Sequence, residues 1–131
     1  MMSFSLLLNC RLRDPAEVLA VLGIPQADIS SYADKSPEFL SMRRNGALVS
    51  TTTGAFTHAA DVFLYEYDAT KIDSELLTLS RQGVDIAMPV PDDPDPEVYW
   101  YWQMGQRRVL RVIDLDGDLE LVDPLANHGL E

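Results

Sequence analysis

The sequence predicts an α+β domain: a mixed or antiparallel sheet, two short helices and a C-terminal antiparallel meander. Three observations lead there. A strand-like apolar run near the start is followed at once by a helix-start signal. A strand, helix, strand succession occupies residues 61–90. Beyond residue 97, aromatic and β-branched runs are separated by two-residue turn signals.

Phe4 to Leu12 is the first expected strand, an apolar run ended by charges. In Asp14-Pro15-Ala16-Glu17, Asp14 is placed to cap a helix, Pro15 suits its first position and Glu17 completes a capping-box-like pattern. Val18, Leu19, Val21 and Leu22 give the helix an apolar face, and Gly23 and Pro25 stop it. Residues 25–45 read as loop, with one helical turn around Pro37 to Met42. Ala47 to Thr53 and Asp61 to Tyr67 read as strands. Asp68 or Asp73 caps a second helix with the stripe Ile72, Leu76, Leu77 and Leu79, and Gly83 ends it. Val84 to Val90 returns as a strand, and if it pairs in parallel with the strand before the helix, the crossover is right-handed. Four prolines between Pro89 and Pro96 exclude a helix or a central strand and predict a stiff, exposed loop. The meander then runs Val98 to Met104, a Gly105-Gln106 turn, Arg107 to Leu115, an Asp116-Gly117 turn, and Asp118 to Val122. Residues 1–126 are read as one domain. Leu130-Glu131 resembles a cloning scar, so residues 127–131 are set apart as a tail.

Bulk composition narrows the function classes. The chain has 131 residues and 47% hydrophobic residues, enough for one packed core. No apolar run approaches the ~20 residues that span a bilayer, and no basic segment precedes Phe4 to Leu8 as in a secretory leader. A cytoplasmic location is the expectation, with which the lone Cys10, read as a core residue, agrees. The formal charge is −11. It is uneven: seven basic and ten acidic residues through Gly83, three basic and eleven acidic residues from Val84 onward. Such a field repels nucleic acid and anionic membranes and favours basic partners.

Two acidic clusters stand out. Asp92, Asp93, Asp95 and Glu97 lie in the proline-stiffened loop. Three readings apply to them: recognition of a basic partner, a solvated loop, or a hard-cation site. Asp114, Asp116, Asp118, Glu120 and Asp123 form the second cluster. They do not follow the calcium-loop pattern, since glycine is fourth and the twelfth place is Leu125, and a hairpin accounts for Asp116-Gly117. Alternation puts Trp100 and Trp102 on one strand face, read as core, and Tyr99 and Tyr101 on the other, read as exposed beside the acidic loop. Acid next to exposed tyrosine makes a protein-binding patch: Asp92, Asp93, Asp95, Glu97, Tyr99 and Tyr101 are the candidate site residues. Arg43-Arg44 and Arg107-Arg108 with Arg111 are read as pairing with nearby acids.

Catalytic motifs are not found. The histidines are His58 and His128, and no metal-ligand spacing, nucleophile elbow, phosphate loop or dinucleotide fingerprint occurs. No catalytic residue, metal or cofactor is therefore assigned.

Two resemblances add to this. The opening, with Asp14-Pro15-Ala16-Glu17-Val18 and Leu22-Gly23-Ile24-Pro25, resembles the start of an uncharacterised family of small bacterial α+β domains over about the first quarter of the chain. In size, charge and want of catalytic motifs, the chain also resembles, as a class, the immunity proteins of interbacterial toxin systems. That resemblance implies a cytoplasmic protein that binds a cognate basic toxin domain and blocks its active site or substrate surface. The alternatives are a small-molecule-binding or regulatory domain, whose pocket would use the aromatic strand and the polar stretch Thr51 to His58, and a metal-dependent hydrolase using paired acids.

Overall fold

The computed structural model describes residues 2–31, 38–65 and 67–122. The predicted tail and Asp123 lie outside the described residues. In chain order the elements are β1 (Met2–Asn9), α1 (Pro15–Ala20), a 3-10 turn (Gln26–Asp28), β2 (Ile29–Ser31), α2 (Glu38–Ser41), β3 (Gly46–Thr51), β4 (Thr53–Gly54) and β5 (His58–Leu64). They continue with a 3-10 turn (Ala69–Lys71), α3 (Ile72–Arg81), β6 (Asp85–Pro89), β7 (Val98–Gln103), β8 (Gln106–Leu115) and β9 (Asp118–Val122). Among the described residues the nine strands form one sheet, in the order β2-β3-β5-β1-β6-β7-β8-β9-β4, so the α+β class is as predicted.

Local chemistry sets the helix starts. The Asp14 carboxylate accepts the Ala16 amide at 2.8 Å, with Pro15 in the first turn of α1. Asp68 accepts the Thr70 amide at 3.0 Å and the Thr70 hydroxyl at 2.6 Å, and so starts the turn that runs into α3. These bonds hold the Asp68 carboxyl below its ordinary pKa. The second strand of the β5-α3-β6 unit does not pair with the first. β1 lies between β5 and β6, antiparallel to both. The sequence β1-α1-β3-β5-α3-β6 with sheet order β3-β5-β1-β6 is the split βαβ, ferredoxin-like arrangement. A central β1 buries more apolar surface than an edge strand does, and this strand supplies the fully buried Leu6 and Leu8.

Two cores lie on opposite faces of the sheet. On the helix face, Val18, Leu19, Leu22, Leu76 and Leu79 pack on Leu6, Leu8, Val62, Leu64, Ile86 and Trp102. Trp102 keeps its indole N–H satisfied by donating to Asp73 at the start of α3, at 2.9 Å. The other face has a smaller core of Phe56, Ala87, Tyr101, Leu110 and Val112, flanked by Leu7, Tyr99, Leu119 and Leu121. It exists because the sheet curls. The β3–β5 connection reaches over to β9, where β4 adds in parallel (Thr53 opposite Asp118) and the Ala55 amide donates to the Leu119 carbonyl. Gly54 is required there, since a Cβ would sit 2.3 Å from the Leu119 carbonyl oxygen. Phe56, carried by this connection, is seated edge-on against Tyr101 with centroids 6.3 Å apart at 83°.

Several expectations shift. The polar stretch from Thr51 to His58 is the hairpin connection that plugs the curl. Its hydroxyls serve the backbone: Thr52 donates to the Phe56 carbonyl and Thr57 to the Leu8 carbonyl. The turn expected at Gly105-Gln106 is Met104-Gly105, with φ of +52° and +77°, and the next is Asp116-Gly117, with +54° and +95°. Positive φ at both central positions gives the type I′ twist that suits paired strands. The short β2, parallel to β3, was not expected.

Candidate partner-binding site

The predicted site residues are brought to one end of the meander, but they do not all serve the same purpose. β7 and β8 pair with Val98 opposite Arg111, so the proline-rich loop at residues 91–97 lies beside the far end of β8. The Val112 amide donates to the Glu97 carbonyl at 2.8 Å and fixes that junction. Inside the loop, Asp93 accepts the Asp95 amide and Asp95 accepts the Glu97 amide, each at 2.9 Å. Proline removes backbone donors here, carboxylates take two of the donors that remain, and the Asp93 amide donates to the Val90 carbonyl. Asp92 adopts φ +65°, a left-handed conformation that aspartate tolerates.

Arg111 divides the cluster. It reaches Asp95 at 3.6 Å and pairs closely with Glu97, so one guanidinium offsets one of these two carboxylate charges on the protein itself. Asp92 and Asp93 remain as the exposed charges of the loop. The second cluster lies at the same end. Asp114, Asp116, Asp118 and Glu120 are exposed around the β8–β9 turn. Asp114 accepts the Gly117 amide at 2.7 Å, and Asp118 accepts the Thr53 hydroxyl at 2.6 Å. The spacing along the chain hid this convergence, which the β7–β8 register produces.

Tyr101 is a correction. It is 2% exposed, under Phe56, and is a core residue rather than part of an exposed patch. Alternation placed it correctly opposite Trp100 and Trp102, but the curl of the sheet covers that face. Burial and the neighbouring Asp85, to which its hydroxyl hydrogen-bonds, push the Tyr101 phenol up to about 12. Tyr99 is half-buried at the rim of the same core, and its phenol is raised by burial. Trp102 is core as expected, whereas Trp100 is partly exposed and has the Arg107 guanidinium 4.4 Å from its ring centre.

Local pairing of the arginines is as expected at several places: Arg44 with Asp28 at 2.8 Å, Arg107 with Asp73 at 3.1 Å, and Arg111 as above. Sequence reasoning missed one polar cluster. Asp85, 4% exposed, is met by Arg11 at 3.2 Å and by the Gln103 amide at 3.4 Å, while Arg108 donates to Gln103 at 3.3 Å. An open cleft of about 400 Å³ beside it is lined by Arg11, Arg81 and Met104. Its members are far apart in sequence, so no motif announces it. Among the described residues, no three His, Cys, Asp or Glu side chains are grouped to hold a metal ion. No described helix is long and apolar enough to cross a membrane. Cys10 is buried, and its thiol is raised mainly by that burial.

Compared with known proteins, the chain matches no family model, no curated protein and no solved structure.

Proposed function

We propose that this protein works by binding a basic protein, as an immunity protein does when it neutralises a cognate toxin domain. The observation that supports this is the placement of two acidic segments at one end of the meander. Asp92 and Asp93 from the loop lie at the same end of the meander as Asp114, Asp116, Asp118 and Glu120 from the β8–β9 hairpin. A stiff, pre-ordered set of like charges loses little entropy on binding. It also speeds encounter with a cationic surface. Asp95 and Glu97 have a supporting role here: with Arg111 they hold the loop against β8, while Asp92 and Asp93 face the partner. Tyr99 borders the surface, and Tyr101 supports it from the core.

The test is affinity capture from the native host at low salt, with the wild type and Asp92→Lys/Asp93→Lys as paired baits. The expected result is one stoichiometric basic partner, released by high salt and lost with the variant. A partner retained equally by both baits would refute the assigned surface. No specific partner in either would refute the reading as a whole.

A further inference from the structure

The end of β7 and β8 away from the acidic loop carries charge of the other sign. The chain leaving β1, the last turn of α3, the start of β6 and the β7–β8 turn converge there. Between them lies the open cleft of about 400 Å³, lined by Arg11, Arg81, Met104, Gly83, Ser80 and Asp85.

The two arginines are positioned by different means. The Arg11 side chain is 56% exposed and gives one terminal nitrogen to Asp85 at 3.2 Å. Asp85 is buried and also receives the Gln103 amide at 3.4 Å. A guanidinium has five N–H donors, so this pair orients Arg11 and leaves donors to spare. Arg81 is positioned by packing. Gly105 has φ +77°, and a Cβ there would come 3.0 Å from Arg81 Cγ and 3.1 Å from its Nε, so glycine leaves room for the arginine to lie across the turn. The turn is tied to the same helix by the Gly105 amide, which donates to the Ser80 hydroxyl at 2.9 Å. Among the described residues the Arg81 guanidinium makes no hydrogen bond or ion pair.

This arrangement has a definite chemical preference. Two guanidinium groups against one carboxylate leave one positive charge on the cleft wall. Arg13, on Gln82 at 3.3 Å, and Arg108, on Gln103 at 3.3 Å, are held on residues adjoining the lining and raise the local potential. A planar carboxylate matches the guanidinium fork. A doubly charged anion would meet Asp85 as a second like charge. Met104, 82% exposed, offers an adaptable apolar wall to whatever carries the carboxylate.

We infer that this cleft binds a singly charged carboxylate, with its oxygens on Arg81 and Arg11 and its carbon stem against Met104. The site is separate from the acidic end and does not depend on the protein binding a basic partner.

Four small probes test it. Hexanoate, its neutral counterpart hexanamide, acetyl-Gly-Glu-Gly-amide and inorganic phosphate are each titrated into the 15N-labelled full chain at low salt and neutral pH. Backbone amide and arginine Nε–H signals are followed. Hexanoate, the glutamate peptide or both are expected to shift Arg81 Nε–H, Gly83 and Gly105 saturably, and the tighter of the two tells whether the site suits a free acid or an acidic protein segment. Hexanamide is expected to leave these signals in place, and phosphate to bind more weakly than the better acid. Arg81→Gln, at an exposed position that leaves the core untouched, is expected to weaken the response by about tenfold or more, the size of a lost charge-assisted hydrogen bond. Arg107→Gln removes the same charge from outside the cleft and is expected to leave the response intact. Equal shifts from hexanamide, tighter binding of phosphate than of either acid, an unchanged response in Arg81→Gln, an equal loss in Arg107→Gln, or no response to either acid would overturn the inference.

Discussion

At the scale of single residues, the second core depends on Phe56. It is 1% exposed, yet it sits in a connection of threonines and glycine that reads as loop. Its ring fills the curl against Tyr101, Leu110 and Val112. Phe56→Ala is expected to cost about 3–5 kcal/mol, because the plug cannot collapse without also losing the β4–β9 pairing. A urea titration measures this, and a loss below about 1 kcal/mol would mean that the curl holds without its plug. Tyr101 makes a second point at this scale. Its folded pKa of about 12 lies above the ordinary value of 10, so burial favours the protonated phenol. That contribution to stability is fully present below pH 10 and is lost as the pH rises through about 12. Ultraviolet titration is expected to show several tyrosines ionising late, since burial also raises the Tyr67 and Tyr99 phenols, and Tyr101→Phe is expected to reduce the late amplitude by one tyrosine.

Elements show where local preference and tertiary packing agree and where they conflict. Asp14 and Pro15, and Asp68 before α3, are local signals that the structure uses as they stand. The β7–β8 turn shows a conflict. Met104 holds φ +52° while 82% exposed, so a poorly suited residue sits in a left-handed position with little packing to compensate. Asparagine tolerates this conformation at a type I′ turn. Met104→Asn is therefore expected to stabilise the protein by up to about 1 kcal/mol. Thermal or urea unfolding reads the change, and a loss of stability would show that the methionine side chain makes a contact worth more than the backbone relief.

The whole molecule is governed by its charge and by its connectivity. A net charge of −11 repels itself in the folded state, and this repulsion is screened by salt. Moving from about 10 mM to 150 mM sodium chloride is expected to raise the melting temperature, since the ion pairs that salt would weaken are mostly at the surface. A fall instead would show that exposed pairs such as Arg107–Asp73, about half exposed on both sides, outweigh the self-repulsion.

The sequence by itself determined the α+β class, most of the strands, the caps of α1 and α3, the proline-stiffened loop and the excess of acid in the C-terminal third. Each of these follows from neighbours in the chain: a capping carboxylate, an alternation, a run of prolines, a count of charges. Tertiary structure decided what depends on partners far along the chain. β1 takes the centre because β5 and β6 both pair with it. Tyr101 is buried because Phe56, 45 positions before it, crosses the sheet. Asp95 and Glu97 share one guanidinium because the β7–β8 register brings Arg111 to them, and the same register puts the proline-rich loop at the end of the meander that also carries the β8–β9 turn. Strand alternation tells which residues share a face of the sheet, but the curl of the sheet decides whether that face meets water, and the curl comes from the contact of β4 with β9, which no local pattern encodes.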